Sequence, residues 1–263
     1  MSLALGLGLG TLIAGAAYAA GSLTRGGAVA GAVIGGLTFA GGGLLPAALL
    51  IVFFVTSTLL SRVGPGTKTH VGDRYEKGAR RDQGQVLANG GVAALLAVGL
   101  GVSASPLALV ALAGALAAVT ADTWGTEIGV LARRRPIRLT DGRHVEPGTS
   151  GAVSLEGTLG ALAGSALISV IVGWGTGAPA AAGAVLVGGF VGALVDSLLG
   201  ATVQAMFACP TCGKETERHP THVCGTQTHR VRGWPWLRND GVNALASLAG
   251  AVVAGLLWLA MGS

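Results

Sequence analysis

Five acidic residues stand in or against long apolar stretches of this 263-residue chain: Asp122, Glu127, Glu156, Asp196 and Asp240. A carboxylate in a membrane span is costly, so it is rare and usually functional. Hard oxygen ligands at one depth suit Mg²⁺, which is usually held by one or two carboxylates plus substrate phosphates. All five are therefore expected as magnesium ligands. Asp196 is the strongest of them, because it has no charged neighbour in sequence and lies deepest in its apolar run, with Gly200 and Gln204 continuing its face. Asp122 and Glu127 share the segment Thr120-Ala-Asp-Thr-Trp-Gly-Thr-Glu127. At roughly 100° per residue they stand about 140° apart on a straight helix, so convergence on one ion requires Gly125 to loosen that helix. Structural alternatives stay open for single members. Asp122 and Asp240 could be helix-end groups, Asp240 as an N-cap, and Glu156 could pair with an arginine. Carboxamides reach the same depth: Gln85 and Asn89 on one span, Asn239 and Asn243 on another.

Phosphate ligands are offered by the polar segments. Lys68, Lys77, Arg80 and Arg81 precede Gln85, and Lys and Arg bind phosphate oxygens through charge-assisted hydrogen bonds. Pro147-Gly-Thr-Ser-Gly-Ala-Val-Ser154 is a Gly/Ser/Thr turn ahead of a helix, and such turns present free N–H groups to an anion. Thr149, Ser150, Gly151 and Ser154 are the expected binders. No Gly-Lys-Ser/Thr follows, so this is not a Walker motif. Arg133-Arg134-Arg135 reads as a topology signal. A third polar segment holds Cys209-Pro-Thr-Cys212, His219, His222, Cys224 and His229. A Cys-x-x-Cys knuckle with a later Cys and His could hold tetrahedral Zn²⁺ through Cys209, Cys212, His222 and Cys224, in a structural role since four protein ligands close the site. Reduced cysteines in a cytoplasmic loop are the alternative.

The elements that must position these residues are apolar helices. Only 11% of residues are charged, 46 are Gly, and the mean hydropathy is +0.65. Soluble domains carry about twice that charged fraction. The expected fold is an all-α, polytopic transmembrane bundle with spans near 2–21, 26–43, 44–61, 85–102, 104–131, 151–174, 178–207 and 240–261, forming a single membrane domain over residues 1–263. The second and third spans are divided at Gly41-Gly42-Gly43 and Pro46, a turn signal inside a run too long for one helix. No charge precedes Arg25, so the N-terminus reads as a retained helix rather than a signal peptide. All seventeen Lys and Arg fall in segments 22–25, 62–84, 132–150 and 208–239. The positive-inside rule places these in the cytoplasm, with both termini outside. Gly31/Gly35, Gly160/Gly164 and Gly188/Gly192 have the spacing of close helix contacts. The net charge of +5 is accounted for by topology and phosphate ligands, so no nucleic-acid partner is expected.

Five blocks in order, QVLANGGVAALLA, ADTWGTEIG, PGTSGAVSLEGT, GALVDSLLGATVQ and WLRNDGVN, resemble the integral-membrane phytyl-phosphate kinases of the vitamin E pathway and their prokaryotic relatives. The resemblance covers the chain from about residue 62. It implies transfer of the γ-phosphate of CTP to phytyl phosphate or a related polyprenyl monophosphate, giving the diphosphate. Asp122, Glu127, Asp196, Lys68 and Arg81 are then the expected catalytic residues, with Mg²⁺ as cofactor and the site at the cytoplasmic face, in the plasma membrane if the source is prokaryotic. An isoprenoid alcohol kinase, a lipid cytidylyltransferase and an ion-coupled transporter are the competing readings. The last is disfavoured because the acids lie to one side and no repeat is visible.

Overall fold

A computed structural model describes residues 2–63, 80–132 and 134–261. Apolar runs become helices where a polar residue can satisfy the first free N–H groups. Thr24 Oγ1 accepts from Gly27 N at the start of α2 (Arg25–Gly42), and Ser154 Oγ from Gly157 N at the start of α6 (Leu155–Thr176). Asp82 and Gln85 form a reciprocal capping box on α4 (Gln83–Ser103). Proline opens α5 (Pro106–Gly129) and α7 (Pro179–Thr202), where its missing N–H costs nothing. With α1 (Leu3–Ala19), α3 (Leu44–Ser61) and α8 (Asn239–Ala260), eight long helices match the eight expected spans. Gly43, at φ 77°, separates α2 from α3 as the glycine-proline signal requires. Helices α3 to α8 are each long and apolar enough to cross a membrane. The 17-residue α1 falls short of that length, and the glycine-rich α2 lies outside the set.

Two expected boundaries shift, and the loops carry short strands. The sixth helix starts at Leu155 rather than near 151, because Ala152–Val153 form β2, antiparallel to β1 (Ile137–Arg138). The seventh ends at Thr202 rather than near 207. Its apolar continuation becomes β3 (Met206–Ala208), the middle strand between β4 (Glu215–Thr216) and β5 (His229–Arg232). A short apolar run fits a buried strand as well as a helix, and Ala205, Met206 and Phe207 are buried in this sheet.

Helix α5 is the axis of the bundle. Leu112 to Ala121 are buried around its whole circumference, as a helix apolar on every side must be. Helices α3, α4, α6, α7 and α8 pack around it. Small residues allow the approach: Gly114 of α5 and Gly188 of α7 both abut the backbone of Gly250 on α8, and Gly160 and Gly164 of α6 abut the backbone of α5. Helices α1 and α2 form a separate pair through Gly6, Gly10 and Gly36, and α2 also packs on α4.

The polar loops meet at one end of the bundle. Arg81 N donates to Ser22 O and Thr24 N to Arg81 O, both at 3.0 Å. Arg62 reaches Ala20 O and Ser22 Oγ. Arg232 reaches Gly200 O at 2.7 Å and Ser150 O at 3.5 Å.

Candidate functional site

At that end a cavity of about 410 Å³ opens between the last turns of α5 and α7, the first turns of α4, α6 and α8, and the 148–154 segment. Beneath it the bundle is filled by the buried middle of α5. Asp122 and Asp196 line it from α5 and α7, with their carboxyls in direct side-chain contact. Two carboxyls so placed repel unless a proton or a cation lies between them. Asp196 Oδ2 is buried and has no hydrogen-bond partner among the described residues.

Glu127 also lines the cavity but is turned to a different side, where it accepts a hydrogen bond from Ser61 Oγ at the end of α3 and faces Arg81. The expected loosening at Gly125 does not occur: α5 runs unbroken to Gly129. Gly125 instead lets α6 approach, since a side chain there would press on Gly157 O and Ala161. Asp122 and Glu127 therefore keep their angular separation and hold separate partners.

The structure adds Glu217, which the sequence reading missed. It follows β4, lines the cavity at 7% exposure and lies close enough to Asp196 to act on its charge. Its Oε1 accepts from Gln204 Nε2 at 2.9 Å, and Gln204 Oε1 accepts from Ser150 Oγ at 3.0 Å. Glu217 stands in the hydrophilic stretch Glu215-Thr-Glu-Arg218, which reads as a solvated surface. The one available signal was its place between the two halves of the Cys/His motif. Ser61 was missed too, because a serine at the end of an apolar helix carries no distinguishing pattern.

The other expected residues divide. Gln85, Asn89, Thr149, Ser150, Gly151, Ser154, Asn239 and Asn243 all line the cavity. Gly151 sits against the backbone of Ala201, where a side chain would collide, so the turn is held on the end of α7. Glu156 and Asp240 are off the cavity lining. Each lies in the first turn of its helix, α6 and α8. Asp240 is not the N-cap either: Arg238 holds that position, and its side chain makes no capping bond. Arg80 points away, its NH2 donating to Leu23 O and its guanidinium lying over Tyr18. Arg135 pairs with Glu146 on the surface at 3.3 Å. Lys68, Lys77 and Arg133 lie outside the described residues.

Arg81 is the basic group at the cavity among the described residues. Its guanidinium stacks over Phe53 and Phe54, each at 5.4 Å, and donates to Thr58 Oγ1 at 3.4 Å. Burial lowers it to about 10, with Glu127 opposing, so near neutral pH it is a cation whose burial favours a nearby anion. Arg81, Gln85 and Asn89 also line a second chamber of about 590 Å³. The remainder of that chamber comes mostly from apolar residues of α1 to α4, among them Leu9, Ile34, Ala48 and Ile51.

The Cys/His motif assembles as its spacing suggested. Ligand atoms of Cys209, Cys212, His222 and Cys224 all lie within 4.8 Å of one another, so the four could hold a metal ion. Hydrogen bonds with Thr226 and then His222 bring the Cys224 thiol down to about 5, and those with Cys224 and Cys209 push Cys212 up to about 11.

Apolar helices around a carboxylate-lined cavity at one end of the bundle define an integral membrane protein with a polar site. The chain belongs to the family described as integral membrane protein DUF92, which matches residues 8–251. It is 31% identical to Protein PGR of Arabidopsis thaliana over 91% of this chain and 90% of the relative. It is 34% identical to the membrane protein MJ0933 of Methanocaldococcus jannaschii over 59% of this chain and 64% of the relative. With Protein VTE6, chloroplastic, of Arabidopsis thaliana, the identity is 29% over 89% of this chain and 65% of the relative. No solved structure matches the chain.

Proposed function

We propose that this protein is a membrane-embedded isoprenoid-phosphate kinase, which transfers the γ-phosphate of CTP to phytyl phosphate or a related polyprenyl monophosphate. The observation that carries this reading is the junction of two unlike cavities. A carboxylate-lined pocket and an apolar chamber share Arg81, Gln85 and Asn89. A lipid phosphate needs both environments at once: hydrocarbon for the tail and a cation at the head. The resemblance of the five sequence blocks to phytyl-phosphate kinases supports the same substrate class.

In this reading the isoprenoid tail lies among α1 to α4 and its phosphate meets Arg81. An oxygen of that phosphate attacks the γ-phosphorus of CTP, the bond from γ-phosphorus to the β-phosphate oxygen breaks, and CDP leaves. The attacking oxygen is already ionised, so no strong general base is required, and catalysis is mainly positioning and charge stabilisation. Asp122 and Asp196 supply hard oxygen donors, and the buried Asp196 Oδ2 suits a cation. Asp122 and Asp196 would hold Mg²⁺, which would supply neutralisation of the transferring phosphate. Asn239 and Asn243 orient phosphate oxygens or sugar hydroxyls, and the Thr149-Ser150-Gly151 turn presents hydroxyls and backbone N–H groups to the donor. The site faces the cytoplasm, where the nucleotide is. Zn²⁺, rather than Mg²⁺, is assigned to the Cys/His cluster, because thiolate and imidazole are soft ligands.

The test is direct. Purified protein is incubated with Mg²⁺, each labelled nucleoside triphosphate and a panel of isoprenyl phosphates and alcohols. Isoprenyl diphosphate and CDP are expected. Release of pyrophosphate would instead mark a cytidylyltransferase, and transfer only to alcohols an alcohol kinase.

A further inference from the structure

The Cys/His cluster stands outside the carboxylate cavity, yet the chain between its two halves carries Glu217 into that cavity. Cys209 and Cys212 follow β3, and Glu215–Thr216 form β4. Glu217 comes next, and His222 and Cys224 complete the cluster. The spacing of its ligand atoms, all within 4.8 Å of one another, suits a tetrahedral site. Cys209 Sγ lies 3.6 Å and Cys212 Sγ 3.5 Å from Cys224 Sγ, and His222 Nδ1 lies 3.2 Å from Cys224 Sγ and 3.6 Å from Cys212 Sγ. Zinc–sulfur bonds of about 2.3 Å place tetrahedral sulfurs about 3.8 Å apart.

The backbone is built to aim these ligands. Gly213 N donates to Cys209 O and Gly225 N to His222 O, both at 2.9 Å. Gly213 and Gly225 take φ of 64° and 84°, a reversal for which glycine carries no steric penalty. Each turn thus presents one pair of ligands, and Thr211 Oγ1 joins Thr226 Oγ1 across them at 2.9 Å. The supporting sheet is small: β4 has two residues and β3 three. A sheet of that size is marginal without a further constraint, and structural zinc supplies one by coupling its binding energy to folding.

Glu217 then links the hairpin to the cavity wall. It accepts from Gln204, which accepts from Ser150 of the Gly/Ser/Thr turn. Arg232 of β5 fixes the other side of the sheet through Glu215 Oε1 at 2.8 Å and Gly200 O at 2.7 Å.

We infer that one Zn²⁺ bound by Cys209, Cys212, His222 and Cys224 is a clamp that holds Glu217 in the carboxylate cavity. Glu217 is a positioning residue, fixing the Gly/Ser/Thr turn through Gln204 and Ser150. The inference rests on the zinc assignment and not on phosphotransfer, so its readouts need no activity. The 263-residue protein purified in detergent without chelator should contain about one zinc per chain, with Cys212→Ser and Cys224→Ser below about a tenth of that. Removing zinc from the native protein should speed amide exchange of Thr216–Arg218 and of Ala152, whose N–H closes the Gly/Ser/Thr turn on Thr149 O, by about tenfold or more, leave the interior of α6 unchanged, and be reversed by zinc. Cobalt in place of zinc should give the visible absorption of a tetrahedral thiolate site. Glu217→Ala should keep its zinc and lose protection at Ala152 only. The inference is overturned by a metal-free native protein, by iron in the site, by zinc whose removal leaves residues 216–218 unchanged, or by removal that exposes α6 as well.

Discussion

The carboxylate cavity gathers Asp122, Asp196 and Glu217 from α5, α7 and the hairpin, whereas the Cys/His cluster draws all four ligands from the segment Cys209–Cys224. One set is hard and oxygen-bearing and exists only because several helices pack against α5. The other is soft and is aimed by two local turns. The difference separates two kinds of dependence. Loss of Asp122 or Asp196 should remove most of the chemistry and leave the fold intact. Loss of a cysteine should release local structure and reach chemistry only through Glu217.

Substitutions at five positions sharpen or break this contrast. Asp196→Asn should lower kcat/KM by roughly 10²–10³-fold, the scale of one preorganised charge-stabilising group, with zinc content and Tm unchanged. Full activity at normal expression would remove Asp196 from the metal site. Arg81→Ala should weaken binding of an isoprenyl phosphate by roughly 10–100-fold, as expected for a lost hydrogen bond to a charged group, and Arg81→Lys should recover part of it. Calorimetric titration without nucleotide checks this. Cys212→Ser should lose zinc and cost roughly tenfold in turnover, an indirect effect through the support of the site. A loss as large as that of Asp196→Asn would erase the distinction between the clusters. Ala48→Phe, in the apolar chamber, should shift preference toward shorter acceptors by a few-fold, the scale of small volume changes in an apolar pocket, as read from competing isoprenyl phosphates. Glu156→Gln should change turnover by less than about twofold, as for a substitution whose side chain is off the cavity lining.

The same contrast explains what could be read from the chain. Local patterns were legible. Apolar runs between polar segments located the eight long helices of the described residues, and the Cys-x-x-Cys spacing located a cluster that could hold a metal ion. The gathering of Asp122, Asp196, Asn239 and Asn243 at one end followed from counting spans, since each stands at the same end of its helix. The direction in which a side chain faces depends on partners that the sequence does not place. Glu156 and Asp240 share that end but are off the cavity lining, and Glu217, in a stretch that reads as solvent-facing, is nearly buried. Gly125 illustrates the limit most plainly. A glycine between two acids suggested a flexible helix, while its role in the packed bundle is to admit α6. Arg80 and Arg81 are adjacent in sequence and equally basic, yet the pairing of Arg81 with the α1–α2 loop sends one side chain toward Tyr18 and the other into the cavity.

The central claim is that the cavity shared through Arg81 transfers phosphate between a nucleotide and an isoprenoid phosphate. The most direct measurement follows [γ-³²P]CTP with Mg²⁺ and phytyl phosphate in detergent or nanodiscs, with wild-type protein beside Asp196→Asn. The account predicts labelled phytyl diphosphate and stoichiometric CDP from the wild type, and almost none from the variant. Absence of transfer from every nucleoside triphosphate to every isoprenyl phosphate tried, by protein of full zinc content and normal Tm, would contradict it.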